Sequence, residues 1–117
     1  MTRDEFKNRA KAYALRLVKV VDSLPRDSVA RTLGRQLPRA GTSVAANYRA
    51  AVRGRSAADF IAKMGIVEEE CDESIFWMEM LVDTGRMKPE RLAELIKEGG
   101  EILAITVASI KTARHGK

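Results

Sequence analysis

The 117-residue chain is 45% hydrophobic and 32% charged with a net charge of +5, which predicts one globular domain over residues 1–117. Its single cysteine, Cys71, excludes an internal disulfide and a zinc site built from several cysteines. No apolar run approaches the roughly 18 residues of a membrane span, and the first residues lack the apolar core of a signal peptide, so we expect a cytoplasmic protein without a membrane partner.

Four segments of the chain have the apolar period of an amphipathic helix, and two of them lie in the first half. The first segment covers residues 4–23 and ends at Leu24, because a residue that precedes a proline disfavours the helical region. The second segment covers residues 27–53. Pro38 lies inside it, where we expect a bend and not an end, because the apolar period stays in phase across the proline.

The second half of the chain holds the other two predicted helices. The third segment, residues 57–84, follows Ser56, whose spacing to Asp59 is typical of a helix N-cap. The fourth segment, residues 90–113, follows Pro89, which suits a first helical turn. Short connections between long helices place neighbours antiparallel. The sequence therefore predicts an all-α, antiparallel up-down-up-down four-helix bundle.

The third segment has more apolar surface than one core requires. One stripe is sufficient to pack against the other three helices. Four further apolar residues lie on another side of the same helix: Ile66, Phe76, Trp77 and Met80. Because a helix of a monomeric bundle needs only one stripe, we predict that these four form a subunit interface in a homo-oligomer. The alternative is a broad core with Trp77 wrapped around its edge.

Five arginines of the second segment fall within an arc of about 80° on a continuous helix. This arginine ridge consists of Arg31, Arg35, Arg39, Arg49 and Arg53. No Asp or Glu occurs from residue 28 to residue 58, so no carboxylate within this helix neutralises the ridge. The planar fork of arginine fits phosphate oxygens. The first functional hypothesis is therefore contact with the phosphates of nucleic acid, above all structured RNA, without stacking on bases, because the ridge has no aromatic residue.

The third segment offers an internal partner for the arginine ridge. Four of its carboxylates lie within about 60° of one another on the helix. This acidic ridge consists of Glu68, Asp72, Glu79 and Asp83. If the two ridges pair within a subunit or between subunits, the protein is a structural scaffold whose charged faces bind each other or a protein partner. The sequence leaves both hypotheses open.

Two glutamate pairs suggest a third, enzymatic hypothesis. Glu70 and Glu73, like Glu98 and Glu101, share one helix face, as in bundle enzymes that bind magnesium to cleave nucleotide pyrophosphates. In that enzyme type the second pair normally ends in Asp. A di-iron site needs a Glu-x-x-His pair from two helices, whereas the only histidine, His115, lies two residues from the end. We expect solvated helix faces here, with no metal, no cofactor and no catalytic residue.

The middle of the chain resembles a known family. The runs that carry the resemblance are QLPRAGTSVAANYRAA at 36–51, RGRSAADFI at 53–61 and VEEECDESIFWMEML at 67–81. They resemble the four-helix-bundle proteins related to those encoded in 23S ribosomal RNA intervening sequences. Many members of that family have Asn-Ile-Ala-Glu-Gly where this chain has Asn-Tyr-Arg-Ala-Ala from Asn47 onward. A role of that glutamate therefore does not transfer to this chain.

The resemblance implies an assembly and several partners. It implies a four-helix subunit that forms a ring-like homopentamer. The family also includes accessory proteins of diversity-generating retroelements, which bind nucleic acid and a reverse transcriptase, so the resemblance implies RNA or a reverse transcriptase as candidate partners. Most members have no assigned activity. The resemblance is thus more informative about the fold than about the function.

Overall fold

The computed structural model describes residues 1–116 and contains four long helices joined by short connections. They are α1 (Arg3–Val20, followed by a 3-10 turn at Val21–Ser23), α2 (Ser28–Val52), α3 (Ala57–Asp83) and α4 (Pro89–His115). Consecutive helices pack against each other and α1 also packs against α4, which closes a four-helix bundle 49 Å long and about 20 Å across. Within residues 1–116 there is no strand, and no helix is apolar over a length that would cross a membrane.

Local sequence signals account for the start of each helix. The hydroxyl of Thr2 accepts the backbone N–H of Glu5 at 3.0 Å, and the Glu5 carboxylate accepts the Thr2 N–H at 2.7 Å, which is a reciprocal capping box. The side chains of Asp27 and Ser56 cap α2 and α3 by accepting the backbone N–H of Ala30 and of Asp59. α4 has no side-chain cap and begins at Pro89, whose missing N–H needs no partner in a first turn.

α2 continues through Pro38 as one helix. Proline has no N–H, so the carbonyl of Gly34, four residues earlier, loses its helical donor. The Thr42 hydroxyl donates to the Pro38 carbonyl at 2.8 Å. Leu37 and Ala40, on either side of the proline, are fully buried, so tertiary packing holds the helix together where its own hydrogen bonding is interrupted.

One polar network crosses the apolar core. The hydroxyl of Ser74 donates to the Cys71 carbonyl at 2.6 Å, so the Tyr13 hydroxyl donates to Ser74 Oγ at 2.7 Å. The Cys71 thiol donates to the Gly99 carbonyl at 3.3 Å. Burial raises the pKa of Cys71 to about 12 and also raises the pKa of Tyr13, so both remain neutral donors. This core network joins α1, α3 and α4.

α3 exposes two of the four apolar residues predicted for a subunit interface. Ile66 is 41% exposed and Phe76 is 48% exposed. Trp77 and Met80 are partly buried and pack against the core, and the Trp77 indole donates to the Glu73 carboxylate at 3.2 Å. Trp77 therefore lies at the edge of a broad core, and the exposed apolar surface of α3 centres on Ile66 and Phe76.

Candidate nucleic-acid interface

The structure divides the arginine ridge among three places on the surface. Arg39 turns toward α3, where it meets two carboxylates. Arg49 and Arg53 line a groove between α1 and α2. Arg31 and Arg35 line a second groove, next to the connection between these helices. All five side chains are exposed, but they do not form one continuous binding surface.

Arg39 is held by two glutamates of α3. Its Nη1 lies 3.1 Å from a Glu70 carboxylate oxygen, and its Nη2 donates to Glu73. Its Nε donates to Gln36 of the same helix at 2.9 Å. The scaffold hypothesis expects such an ion pair, but the partners are Glu70 and Glu73 and not the acidic ridge. Arg39 is thereby compensated within the subunit.

The second glutamate pair is bound in the same way. Arg9 of α1 donates from Nε and Nη2 to the two oxygens of Glu98, both at 2.7 Å, and its Nη2 also contacts Glu101 at 2.5 Å. The hydrogen bonds from Arg9 hold the pKa of Glu98 below its ordinary value. Each Glu-x-x-Glu pair thus receives the fork of one arginine from a neighbouring helix. We call these two sites the arginine clamps.

The groove between α1 and α2 has cations on both sides. It has a cavity volume of about 590 Å³ and is lined by Lys7 and Lys11 of α1 and by Arg49 and Arg53 of α2. In both pairs the two residues are four apart, so the charges face each other across the groove at two successive turns. None of its lining residues within 1–116 is a carboxylate. We call it the α1–α2 groove.

The two lysines of the α1–α2 groove were not part of the predicted site. The sequence places Lys7 and Lys11 on the outer side of the first helix, and nothing in their spacing shows that this side adjoins the arginine ridge. The part of the groove toward the end of α1 is apolar, with Leu15 55% exposed and Val18 42% exposed. The groove therefore combines a cationic part with an open aliphatic surface next to it.

The second groove has mixed charge. It has a cavity volume of about 490 Å³, and Arg31 and Arg35 line it together with Arg26. Asp22 and Asp27 line it as well, and the carboxylate of Asp27 is already used as the N-cap of α2. Its field is therefore less uniformly positive than that of the α1–α2 groove.

No cluster of three or more His, Cys, Asp or Glu side chains within residues 1–116 is arranged to hold a metal ion. Both glutamate pairs considered for magnesium lie in the arginine clamps. In each pair the guanidinium already supplies a positive charge at the carboxylates, which opposes the binding of a second cation there. The geometry of residues 1–116 thus gives the magnesium hypothesis no support.

Comparison with known proteins agrees with the observed architecture. The family model described as 23S rRNA-intervening sequence protein matches residues 4–108. The chain is also similar to a crystal structure, at 1.70 Å resolution, of a protein with unknown function from the S23 ribosomal protein family of Bacteroides thetaiotaomicron VPI-5482. That similarity has 30% identity and a TM-score of 0.88, and covers 96% of this chain and 100% of the other. No curated protein matches. With four helices and a family match over nearly its whole length, the chain belongs to the 23S rRNA-intervening sequence protein family.

Proposed function

We propose that this protein is a non-enzymatic accessory factor that binds nucleic acid through phosphate contacts in the α1–α2 groove. The observation that carries the proposal is the set of four cations around a groove with no lining carboxylate among residues 1–116. Arginine presents a planar pair of donors to a phosphate, and lysine adds a point charge. Each phosphate neutralised in this way releases counterions, so affinity falls as salt rises. No lining residue of the groove within 1–116 is aromatic, which favours contact with the backbone of structured RNA over stacking on bases.

Contacts between α1 and α2 support the antiparallel topology that we propose for the subunit, and assembly of such subunits would multiply the groove. The Phe6 and Tyr48 rings lie 4.6 Å apart, and a Cβ at Gly41 would lie 2.7 Å from the Leu17 side chain. Later residues of α1 thus meet earlier residues of α2, which supports alternating up and down helices. A homopentamer of such subunits, as the resemblance implies, would present five grooves to one polyanion and increase the avidity of binding.

Reversing the charge of one wall of the groove should weaken RNA binding more than tenfold. The Arg49→Glu/Arg53→Glu variant removes two phosphate contacts and places carboxylates against the strand. Fluorescence anisotropy with a labelled RNA hairpin across a salt series measures the effect. Each lost phosphate contact should lower the slope of log affinity against log salt by about one.

The matched control carries the same net charge. Arg16→Glu/Lys97→Glu changes two exposed basic residues outside the α1–α2 groove, on α1 and α4. This control should bind the hairpin within about twofold of the wild type at physiological salt, since screening weakens distant charges. Equal losses in both double variants, or unchanged binding in the groove variant, would refute the groove as the binding site.

A second candidate function is a scaffold that assembles from complementary faces, and a specific observation favours it. Leu15 and Val18 are exposed among cations, whereas Ile66 and Phe76 are exposed on the helix that carries the acidic ridge. An α3 surface of one copy could therefore cover the α1–α2 groove of the next, with apolar area and charge both matched. Such a head-to-tail contact closes into a ring when its rotation permits.

The scaffold function predicts a change in mass. Ile66→Lys/Phe76→Lys should convert the oligomer into a monomer of 13.0 kDa, because two added cations would face the four cations of the α1–α2 groove across the interface. Light scattering after gel filtration measures the mass. Val107→Lys, which adds a cation at an exposed apolar residue of α4, should leave the oligomer intact. A wild-type protein that is monomeric at 100 µM would rule out the scaffold.

A further inference from the structure

One end of the bundle contains a cleft that the proposed function does not use. It lies where the start of α1 meets the ends of α2 and α4 and the start of α3. Its cavity volume is about 400 Å³, and it adjoins a cavity of about 390 Å³ that shares Arg3, Phe60 and Thr112 with it. Ligand pockets commonly measure about 300–1,000 Å³. None of the lining residues described in the structure is a carboxylate. We call the two cavities together the end cleft.

The end cleft offers an aromatic surface to a planar group. Phe6 and Tyr48 pack edge to face at 4.6 Å and are almost completely buried. Phe60 is only partly buried, and the guanidinium carbon of Arg3 lies 4.8 Å from the centre of its ring. Arg3 is exposed and forms no ion pair within residues 1–116, so this cation–π contact is what holds it. A planar base can replace the Arg3 guanidinium on the Phe60 ring, and Arg3 can then turn toward an anion that is attached to the base.

Polar groups complete the end cleft. Tyr48 is 96% buried, yet its hydroxyl has no hydrogen-bond partner in the described part of the chain. Every fully enclosed side-chain nitrogen or oxygen there has a partner, so this hydroxyl opens to the cleft. The hydroxyl-bearing residues Ser109 and Thr112 line the wall formed by α4. Arg55 contributes a second guanidinium in the adjoining cavity.

We propose that the end cleft binds one unpaired nucleotide. The base stacks on Phe60 and hydrogen-bonds to Tyr48 and to the hydroxyls of α4, and the phosphate pairs with Arg3 and Arg55. An aromatic face, neutral donors and two guanidiniums in a lining that contains no carboxylate match a nucleoside monophosphate. The nucleotide has two sources, a free mononucleotide or an unpaired residue of a nucleic acid whose backbone lies in the α1–α2 groove. Only the second source rests on the proposed function.

Calorimetric titration of the whole protein with AMP tests the site itself. We expect AMP to bind, adenosine to bind at least fivefold more weakly, and Phe60→Leu to weaken AMP binding about fivefold or more. Tyr48→Phe keeps the ring packed on Phe6 and removes only the hydroxyl, and should weaken AMP binding about fivefold. Val107→Ala and Arg16→Gln change one apolar and one basic residue outside the end cleft and should bind AMP as the wild type does. Circular dichroism establishes that each variant is folded.

A pair of RNA hairpins distinguishes the two sources of the nucleotide. If the cleft takes an unpaired residue of RNA, a hairpin with one unpaired 3′ nucleotide binds more tightly than a blunt hairpin, and Phe60→Leu removes the difference. If AMP binds but the hairpins do not differ, the ligand is a free mononucleotide. If AMP does not bind and the two hairpins do not differ, the end-cleft proposal is overturned. This holds even if the blunt hairpin binds the wild type and binds Arg49→Glu/Arg53→Glu more weakly, which would support the α1–α2 groove alone. Conversely, AMP binding retained by that double variant keeps the end cleft when the groove fails.

Discussion

Gly99→Ala should destabilise the protein by about 2 kcal/mol, because the core has no room for a methyl group at this position. A Cβ there would lie 2.5 Å from the Tyr13 hydroxyl and 3.0 Å from Ile75 Cγ1. The Tyr13 ring is buried and its hydroxyl is held by Ser74, so neither neighbour can move without loss of contacts. The gain of about 1 kcal/mol that alanine brings to a helix interior does not offset this overpacking.

The adjacent glycine provides the control. Gly100 is exposed, and a Cβ there would meet no atom within 4 Å, so Gly100→Ala should stabilise the protein by about 0.5–1 kcal/mol. Urea unfolding followed by circular dichroism measures both variants. In the Tyr13→Phe background, Gly99→Ala should be less destabilising by roughly 1 kcal/mol, because the closest contact is gone. Equal effects of the two glycine substitutions would show that the core can accommodate a methyl group at Gly99.

Removal of Arg9 should destabilise the protein by about 2 kcal/mol near pH 7, whereas removal of Arg39 should cost at most about 1 kcal/mol. The two arginine clamps have the same glutamate spacing but differ in exposure. The side chains of Arg9 and Glu98 are 24% and 22% exposed, and the Arg39 side chain is 45% exposed. Charged hydrogen bonds are stronger where water is excluded, and removal of the arginine leaves Glu98 partly buried without its partner. Methionine replaces both arginines in the test, because it preserves the aliphatic stem.

Acid should abolish most of the difference between the wild type and Arg9→Met. The pKa of Glu98 is lowered by Arg9, so its contribution to stability is present above its unfolded pKa of about 4.3 and is lost as pH falls through the lower folded value. The difference in unfolding free energy should therefore stay constant from pH 7 to pH 5.5 and shrink below about pH 4. A difference that is unchanged at pH 3 would assign the effect to packing and not to charge.

Local chemistry made the four helices predictable. Ser56 caps the helix that it precedes, and Pro89 begins α4, because each of these effects acts within a few residues. Gly85, in the turn after α3, has a φ of +75°, which glycine adopts at little steric cost. The apolar period also predicted that α2 continues through Pro38, because this period reflects the burial of one helix face against other helices. The family resemblance came from the longer runs at 36–51, 53–61 and 67–81, and the match to the family model confirms it.

The candidate interface was less accessible to sequence reasoning. The angular position of each arginine on α2 follows from helix geometry, but the neighbour that it meets depends on which helix packs on that side. Arg39 lies on the side of α3, where Glu70 and Glu73 face it. The contribution of Lys7 to the α1–α2 groove cannot be predicted from one helix alone, and neither can the end cleft. Both sites are assembled from residues far apart in the chain.

The core network has a consequence for the uniqueness of the fold. Helices with plain aliphatic faces can slide past one another by a turn, about 5.4 Å, and still bury their side chains. Such a shift of α1 would separate the Tyr13 hydroxyl from Ser74 Oγ, and the buried Tyr13 hydroxyl would lose its hydrogen-bond partner in a dry interior. The network thus selects one longitudinal alignment of α1, α3 and α4 among several that the apolar residues alone would tolerate. Its contribution is to conformational specificity, which a measurement of overall stability does not report.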